Sequence, residues 1–219
     1  VHKIDCCKVN DRYFVNILSF GIFTTASQRT PRKAKQQFGI LAYIKPGIDD
    51  VKETEVFVIG SANDAATLLG EYISGSEESF ISLMNARAKE LGMKNTHFEN
   101  VTGLDDTTVN HYSSANDIAV MSRELIKFDI ITKYSSVLQD TIRNGEFTLT
   151  NTNRLIRFYK GATGLKTGST AKAGFCISAT AERNGMTLIC VIMGAESRDI
   201  RNAAATSLLD YGFANYGIY

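Results

Sequence analysis

The sequence predicts an α+β fold in which an antiparallel sheet is covered by helices. Two observations carry this. Segments with helical spacing fill the chain from about residue 63 to 125, whereas β-branched and aromatic runs cluster between 147 and 193, before one last helix. Helices and strands that segregate along a chain, rather than alternating, point to α+β packing. Arg183-Asn184-Gly185 also separates two apolar runs, and Asn-Gly is a strong signal for a two-residue hairpin, so those two strands must be antiparallel.

Each element has its own local reason. Lys45-Pro46-Gly47 is a turn, and Val56 to Ile59 is a short strand-like run leading into Gly60-Ser61-Ala62-Asn63. Ala65, Ala66, Leu68, Leu69, Tyr72 and Ile73 then recur at helical spacing. Ser76 caps the next helix, with Glu77 and Glu78 favoured by the dipole of its first turn. Phe80, Leu83, Met84, Ala88 and Leu91 form its apolar stripe, and Gly92 stands where a C-terminal stop belongs. Gly103 to Asp106 is a loop. Ser114 caps a helix carrying Ile118, Met121 and Leu125. Strands follow at Phe147–Asn151, Leu165–Gly168, Phe175–Ala181 and Met186–Met193. A final helix spans Asp199 to Asp210, with Gly212 ending it.

With the hairpin turning at Asn184-Gly185, Cys176 should lie opposite Met193 and Cys190 opposite Ala179. Their sulfurs then point to opposite faces, as free thiols serving as small hydrophobes. Residues 1–38 differ from the rest. They show no clean period and carry a basic cluster, Arg29, Arg32, Lys33 and Lys35. The expected organisation is an atypical segment at 1–38 and a single domain at 39–219.

A net charge of +1 gives no reason to expect nucleic acid or an anionic membrane as partner. His2 near Asp5 and His97 near Glu99 lack metal-ligand spacing, so neither a metal site nor a cofactor is expected. Residues 13–26 sketch a secretory signal faintly, but Asn16 and Ser19 interrupt the apolar run and Asp5 and Asp11 spoil its basic flank. No convincing signal peptide and no membrane association are read from this chain.

The chemistry is carried by short motifs. Lys166-Thr167-Gly168 lies on a predicted strand. A lysine there sets a cation beside a substrate carboxylate, the threonine hydroxyl can hydrogen-bond it, and a glycine lets a peptide lie against the strand as an added strand. Ser61-Ala62-Asn63 follows a strand-like run and opens a buried helix. The same Ser-Ala-Asn-Asp string recurs at Ser114–Asp117, so helix capping is an alternative reading of both. One Ser-x-x-Lys occurs, Ser169-Thr170-Ala171-Lys172. It continues a strand, where alternation sends Ser169 and Lys172 to opposite faces, and a nucleophile with its base needs a helix instead. Ahead of Ser61, Ser19 is followed three residues on by Ile22, and Ser27 by Thr30. No nucleophile is identified.

SANDAATLLGEYISGSEESFISLMNARAKELGMKNTHFENVTGLDD, GATGLKTGSTAKAGFCISATAERNGMTLICVIMGAESRDIR and LLDYGFANY together resemble the serine-type D-alanyl-D-alanine carboxypeptidases, the low-molecular-mass penicillin-binding proteins, over about residues 39–216. The resemblance implies a β-lactamase/transpeptidase-like fold, here N-terminally incomplete. It also implies an extracytoplasmic enzyme that trims peptidoglycan stem peptides ending in D-Ala-D-Ala through an acyl-enzyme. By position, Ser61 would help shuttle a proton, Asn63 would hold the substrate amide, and Lys166, Thr167 and Gly168 would line the cleft and meet the substrate carboxylate. The Ser169 N–H would form one arm of an oxyanion hole, and Arg201 would stand near the terminal carboxylate. The alternative for Arg201 is a solvated arginine on the last helix.

The family's Ser-x-x-Lys part has no counterpart in residues 1–38, and β-lactams are expected as ligands only where a nucleophile exists. The chain is therefore expected to lack turnover, as the product of a truncated or mis-started reading frame, and to be poorly stable alone. A non-catalytic binder of peptidoglycan or of a partner protein stays open, as does a β-lactamase-like hydrolase.

Overall fold

The computed structural model of the chain describes residues 6–9, 12–15, 63–142 and 147–217. The strand expected at Val56–Ile59, Ser61 and the Lys45-Pro46-Gly47 turn fall outside these residues. The described elements are strands β1 (Cys6–Val9) and β2 (Arg12–Val15), helices α1 (Asn63–Ser74), α2 (Glu77–Glu90), α3 (Ala115–Leu125) and α4 (Asp129–Ser135), strands β3 (Gln139–Ile142) and β4 (Phe147–Thr150), helix α5 (Leu155–Phe158), strands β5 (Ala162–Thr170), β6 (Gly174–Arg183) and β7 (Met186–Ala195), and helix α6 (Arg198–Asn215). They fall into two compact units. One ends at Ala86 and includes Phe98–Gly103; the other comprises Arg87–His97 and the chain from Leu104 on.

In the first unit β1 and β2 pair antiparallel, with Cys6 opposite Val15. Helix α1 ends at Gly75, whose φ of +89° suits glycine. Gly70 lets Phe80 pack close, since a Cβ there would stand 2.8 Å from the ring. Ser76 caps α2 as expected, its Oγ accepting from the Ser79 N–H at 3.1 Å.

The end of α2 belongs to the second unit and is a Schellman motif. Gly92, at φ +75°, donates to the Lys89 carbonyl at 3.0 Å, and Met93 donates to that of Ala88 at 2.9 Å. Ser114 caps α3, accepting from the Asp117 N–H at 3.2 Å. Asp117 is itself buried and accepts from the Asn95 N–H at 2.7 Å and the Thr96 hydroxyl at 2.8 Å. Burial pushes its pKa up, but these hydrogen bonds together outweigh that and hold the carboxyl below its ordinary value.

The sheet that organises this unit has the order β5-β6-β7, all antiparallel. Asn184 (φ +52°) and Gly185 (φ +79°) make the two-residue turn, and Ala179 stands opposite Cys190 as the hairpin register predicts. Cys176 departs from that register. A bulge between Phe175 and Ile177 shifts the pairing, so Phe175 faces Ala195 and Cys176 has no counterpart at Met193. Both thiols are free.

β6 is buried on both faces from Ile177 to Ala181. Ile177, Ala179 and Ala181 meet Ala205 and Leu209 of α6 together with Leu155, Tyr159 and Cys190. The alanines, fully shielded, let the helix approach the sheet closely. On the other side Ser178 hydrogen-bonds Ser122 of α3 at 2.7 Å, and Thr180 bonds Thr163 at 2.8 Å, so the even-numbered polar residues are satisfied where they are buried.

Gly212 does not stop the last helix, which continues to Asn215. The glycine is buried, and a Cβ there would stand 2.6 Å from Leu188 Cδ1, so it serves helix–sheet packing.

Candidate functional site

β5 pairs with β6 alone among the described residues, so its other edge is open to partners that are not strands. Side chains take the first part of that strand. Ser135 Oγ donates to the Thr163 carbonyl at 2.7 Å, and Asn153 Nδ2 donates to the Gly164 carbonyl at 2.8 Å. Gly164 is needed here, because a Cβ would lie 2.4 Å from Ser135 Oγ.

The Lys166-Thr167-Gly168 stretch comes next. Lys166 is exposed by area, and its ammonium folds back to donate to the Thr167 carbonyl. Desolvation of the ammonium holds its pKa below the ordinary lysine value. Thr167 is buried, with its Oγ1 at 2.7 Å from Thr152 Oγ1. Among the described residues nothing lies within 4 Å of the position a Gly168 Cβ would take, which leaves room for a ligand beside it. Ser169 is exposed and stands opposite Phe175. Lys172, beyond the end of β5, donates to the Asp105 carbonyl at 2.7 Å. An open hollow of about 760 Å³ touches Ser169, Lys172, Phe175 and Glu196; neither Lys166 nor Thr167 lines it.

Arg201 is not a solvated helix arginine, since only 3% of it is exposed. Its Nε and Nη2 donate to Asn202 Oδ1 at 3.1 and 3.0 Å, and Nη1 donates to the Cys176 carbonyl at 3.3 Å. Gly168 is the β5 partner of Cys176, so the guanidinium sits behind the Lys166–Ser169 stretch, one strand away. Burial lowers its pKa, with Arg198 and Arg154 adding like-charge repulsion. Among the described residues no carboxylate pairs with it. Its charge is thus buried against neutral acceptors, Asn202 Oδ1 and the Cys176 carbonyl.

The second unit thus gathers Lys166, Thr167, Gly168, Ser169 and Arg201. Asn63 opens α1 in the first unit and is exposed, and Ser61 lies outside the described residues. Thr152 and Asn202 touch this group, and nothing in their local sequence marks them for it. The paired asparagines of Asn151-Thr152-Asn153 do signal a hydrogen-bonded turn.

Residues 25–197 match the family described as D-alanyl-D-alanine carboxypeptidase. The chain is 45% identical over 193 residues to D-alanyl-D-alanine carboxypeptidase DacF of Bacillus subtilis, covering 86% of this chain and 49% of that protein. It is 38% identical over 175 residues to DacC of Escherichia coli, covering 78% and 43%. Among solved structures, penicillin-binding protein 6B of Escherichia coli superposes with a TM-score of 0.66 at 39% identity, over 72% of this chain and 49% of that one. The cefotaxime-bound penicillin-binding protein D2 of Listeria monocytogenes gives 0.65 at 35%, over 70% and 62%. The fold is therefore of the penicillin-binding and DD-transpeptidase class. The chain belongs to the D-alanyl-D-alanine carboxypeptidase family. It spans about half the length of the curated relatives it matches. No helix among the described residues is long and apolar enough to cross a membrane.

Proposed function

We propose that this chain holds peptidoglycan stem peptides ending in D-Ala-D-Ala at the open edge of β5, as a serine-type D-Ala-D-Ala carboxypeptidase of the cell envelope does, and that these 219 residues do not themselves complete an acyl-enzyme cycle. One observation carries the binding half. The strand edge combines Lys166, Thr167 and a side-chain-free Gly168 with a buried Arg201 that has no carboxylate partner among the described residues. An extended peptide can lie along such an edge, its backbone groups meeting those of the strand and its terminal carboxylate meeting Lys166 and the Thr167 hydroxyl, with the Arg201 charge attracting it from behind the strand.

In the full reaction a serine attacks the penultimate D-alanyl carbonyl, and terminal D-alanine leaves. The resulting ester is then hydrolysed by water. Lys166 would steady developing negative charge and the Ser169 N–H would donate to the oxyanion. Ser61 would relay the leaving-group proton, and Asn63 would hold the substrate amide. The attacking serine is the part for which no Ser-x-x-Lys precedes Ser61.

Intact mass after incubation with a penicillin, alongside calorimetric titration with a peptide ending in D-Ala-D-Ala, tests both halves. The expected result is saturable peptide binding and an unchanged mass. A covalent adduct would overturn the inactive reading, and peptide mapping would identify the serine. Absence of peptide binding on folded protein would overturn the binding reading.

A further inference from the structure

Thr152 takes no part in the reaction described above, yet its hydroxyl is the partner of the Thr167 hydroxyl at 2.7 Å. Thr152 as a residue is exposed whereas Thr167 is buried, so the pair spans from solvent to the wall behind β5. Each hydroxyl has one proton, and one of the two is spent in the bond between them. The pair therefore has one proton left to offer outward. When Thr152 donates to Thr167 Oγ1, the free proton is that of Thr167.

The loop carrying Thr152 is fastened on both sides. Asn151 Nδ2 donates to the carbonyls of Ser135 at 3.0 Å and Val137 at 2.9 Å, tying the loop to the end of α4. Asn153, 2% exposed, donates to the Gly164 carbonyl on β5 and accepts from the Leu155 N–H at 3.1 Å. The Asn153 N–H donates to Asn151 Oδ1 at 2.9 Å, which locks the two asparagines to each other. Thr152 is thus held by its neighbours, in a loop anchored at Gly164, two residues along β5 from Lys166, and its side chain is left to act on Thr167.

We propose that Thr152 is a positioning residue. It fixes the side-chain rotamer of Thr167 so that the Thr167 hydroxyl proton is directed at the carboxylate of a bound peptide. This rests on reading Lys166-Thr167-Gly168 as a carboxylate-binding strand. Because Thr152 is exposed, Thr152→Val removes the hydroxyl at nearly constant volume without opening the core.

The test uses the full chain, isotope-labelled, as wild type, Thr152→Val and Thr152→Ser. Three-bond couplings to the Thr167 methyl report its rotamer, and calorimetry reports affinity for a D-Ala-D-Ala peptide and for its C-terminal amide. Wild type and Thr152→Ser should show one Thr167 rotamer and prefer the free acid. Thr152→Val should show mixed rotamers and lose roughly tenfold of the acid's advantage, the size of one misplaced hydrogen bond to a charged group, with amide affinity unchanged. A single rotamer in Thr152→Val, or equal losses for acid and amide, would overturn the proposal. If wild type binds neither peptide, the carboxylate-binding reading fails, and the rotamer measurement still decides whether Thr152 positions Thr167.

Discussion

Replacing Asn153 should damage the fold out of proportion to the size of the change. Its side-chain amide nitrogen serves the Gly164 carbonyl at 2.8 Å and its amide oxygen serves the Leu155 N–H at 3.1 Å, in a place where only 2% of the residue is exposed. Asn153→Ala leaves both backbone groups buried and unmet. At about 1–3 kcal/mol for each orphaned group, the expected loss is about 2–6 kcal/mol. Asn153→Asp keeps the size and the acceptor for Leu155 but sets a carboxylate against a carbonyl. Only the protonated carboxyl can donate to Gly164, so folding raises its pKa above the ordinary value of about 3.9. An acid whose pKa is raised on folding binds protons more tightly in the native state, so its stability is greatest at low pH and is lost as pH rises through the folded pKa. Urea unfolding at about pH 4.5 and about pH 7.5 would therefore show Asn153→Asp closer to wild type at the lower pH, while Asn153→Ala keeps a constant deficit. An Asn153→Ala variant within about 0.5 kcal/mol of wild type, or an Asn153→Asp deficit that ignores pH, would refute this reasoning.

Three further outcomes are expected. Burial, helped by its hydrogen bond to Asp210 at 2.7 Å, pushes the Tyr159 pKa up to about 12 from 10.0, so stability should fall as pH climbs through that window, and Tyr159→Phe should flatten the fall in a pH series of melts. Brief alkylation followed by peptide mapping should label Cys176 and spare Cys190, which is 2% exposed and whose thiol burial raises to a pKa of about 11; equal labelling would contradict the packing. Gly161→Ala should cost about 2–4 kcal/mol, because φ there is +84° and a Cβ would lie 2.3 Å from the Glu182 carbonyl oxygen, whereas Gly168→Ala should leave the melting temperature nearly unchanged and weaken peptide binding.

Where local chemistry decides, the sequence was readable. Ser76, Ser114 and Gly92 mark helix ends through hydrogen bonds made within a few residues, and Asn184-Gly185 sets a hairpin by its own dihedrals. Lys166-Thr167-Gly168 is likewise legible as part of a strand. The last helix shows the limit. Gly212 has the chemistry of a terminator, yet its missing side chain is used for contact with Leu188 on β7, which no local pattern announces. The bulge beside Cys176 escaped for a similar reason, since the register is reset where Phe175 and Ala195 meet at the far end of the hairpin. The burial of Arg201 and the pairing of Thr152 with Thr167 both depend on segments brought together by the sheet, and spacing along the chain does not encode that. Short elements such as α4 and α5 owe their existence to packing rather than propensity.

The side chains that occupy part of β5 bear on how this protein behaves in a crowded solution. A strand whose whole edge is unpaired is a template on which a second copy can polymerise, strand upon strand. Here Ser135 and Asn153 take the carbonyls of Thr163 and Gly164, so a neighbouring copy cannot pair with the strand over its full length. Under the peptide-holding reading proposed above, the remaining stretch would serve one extended ligand, while the capped carbonyls would keep a second copy from pairing along the whole edge.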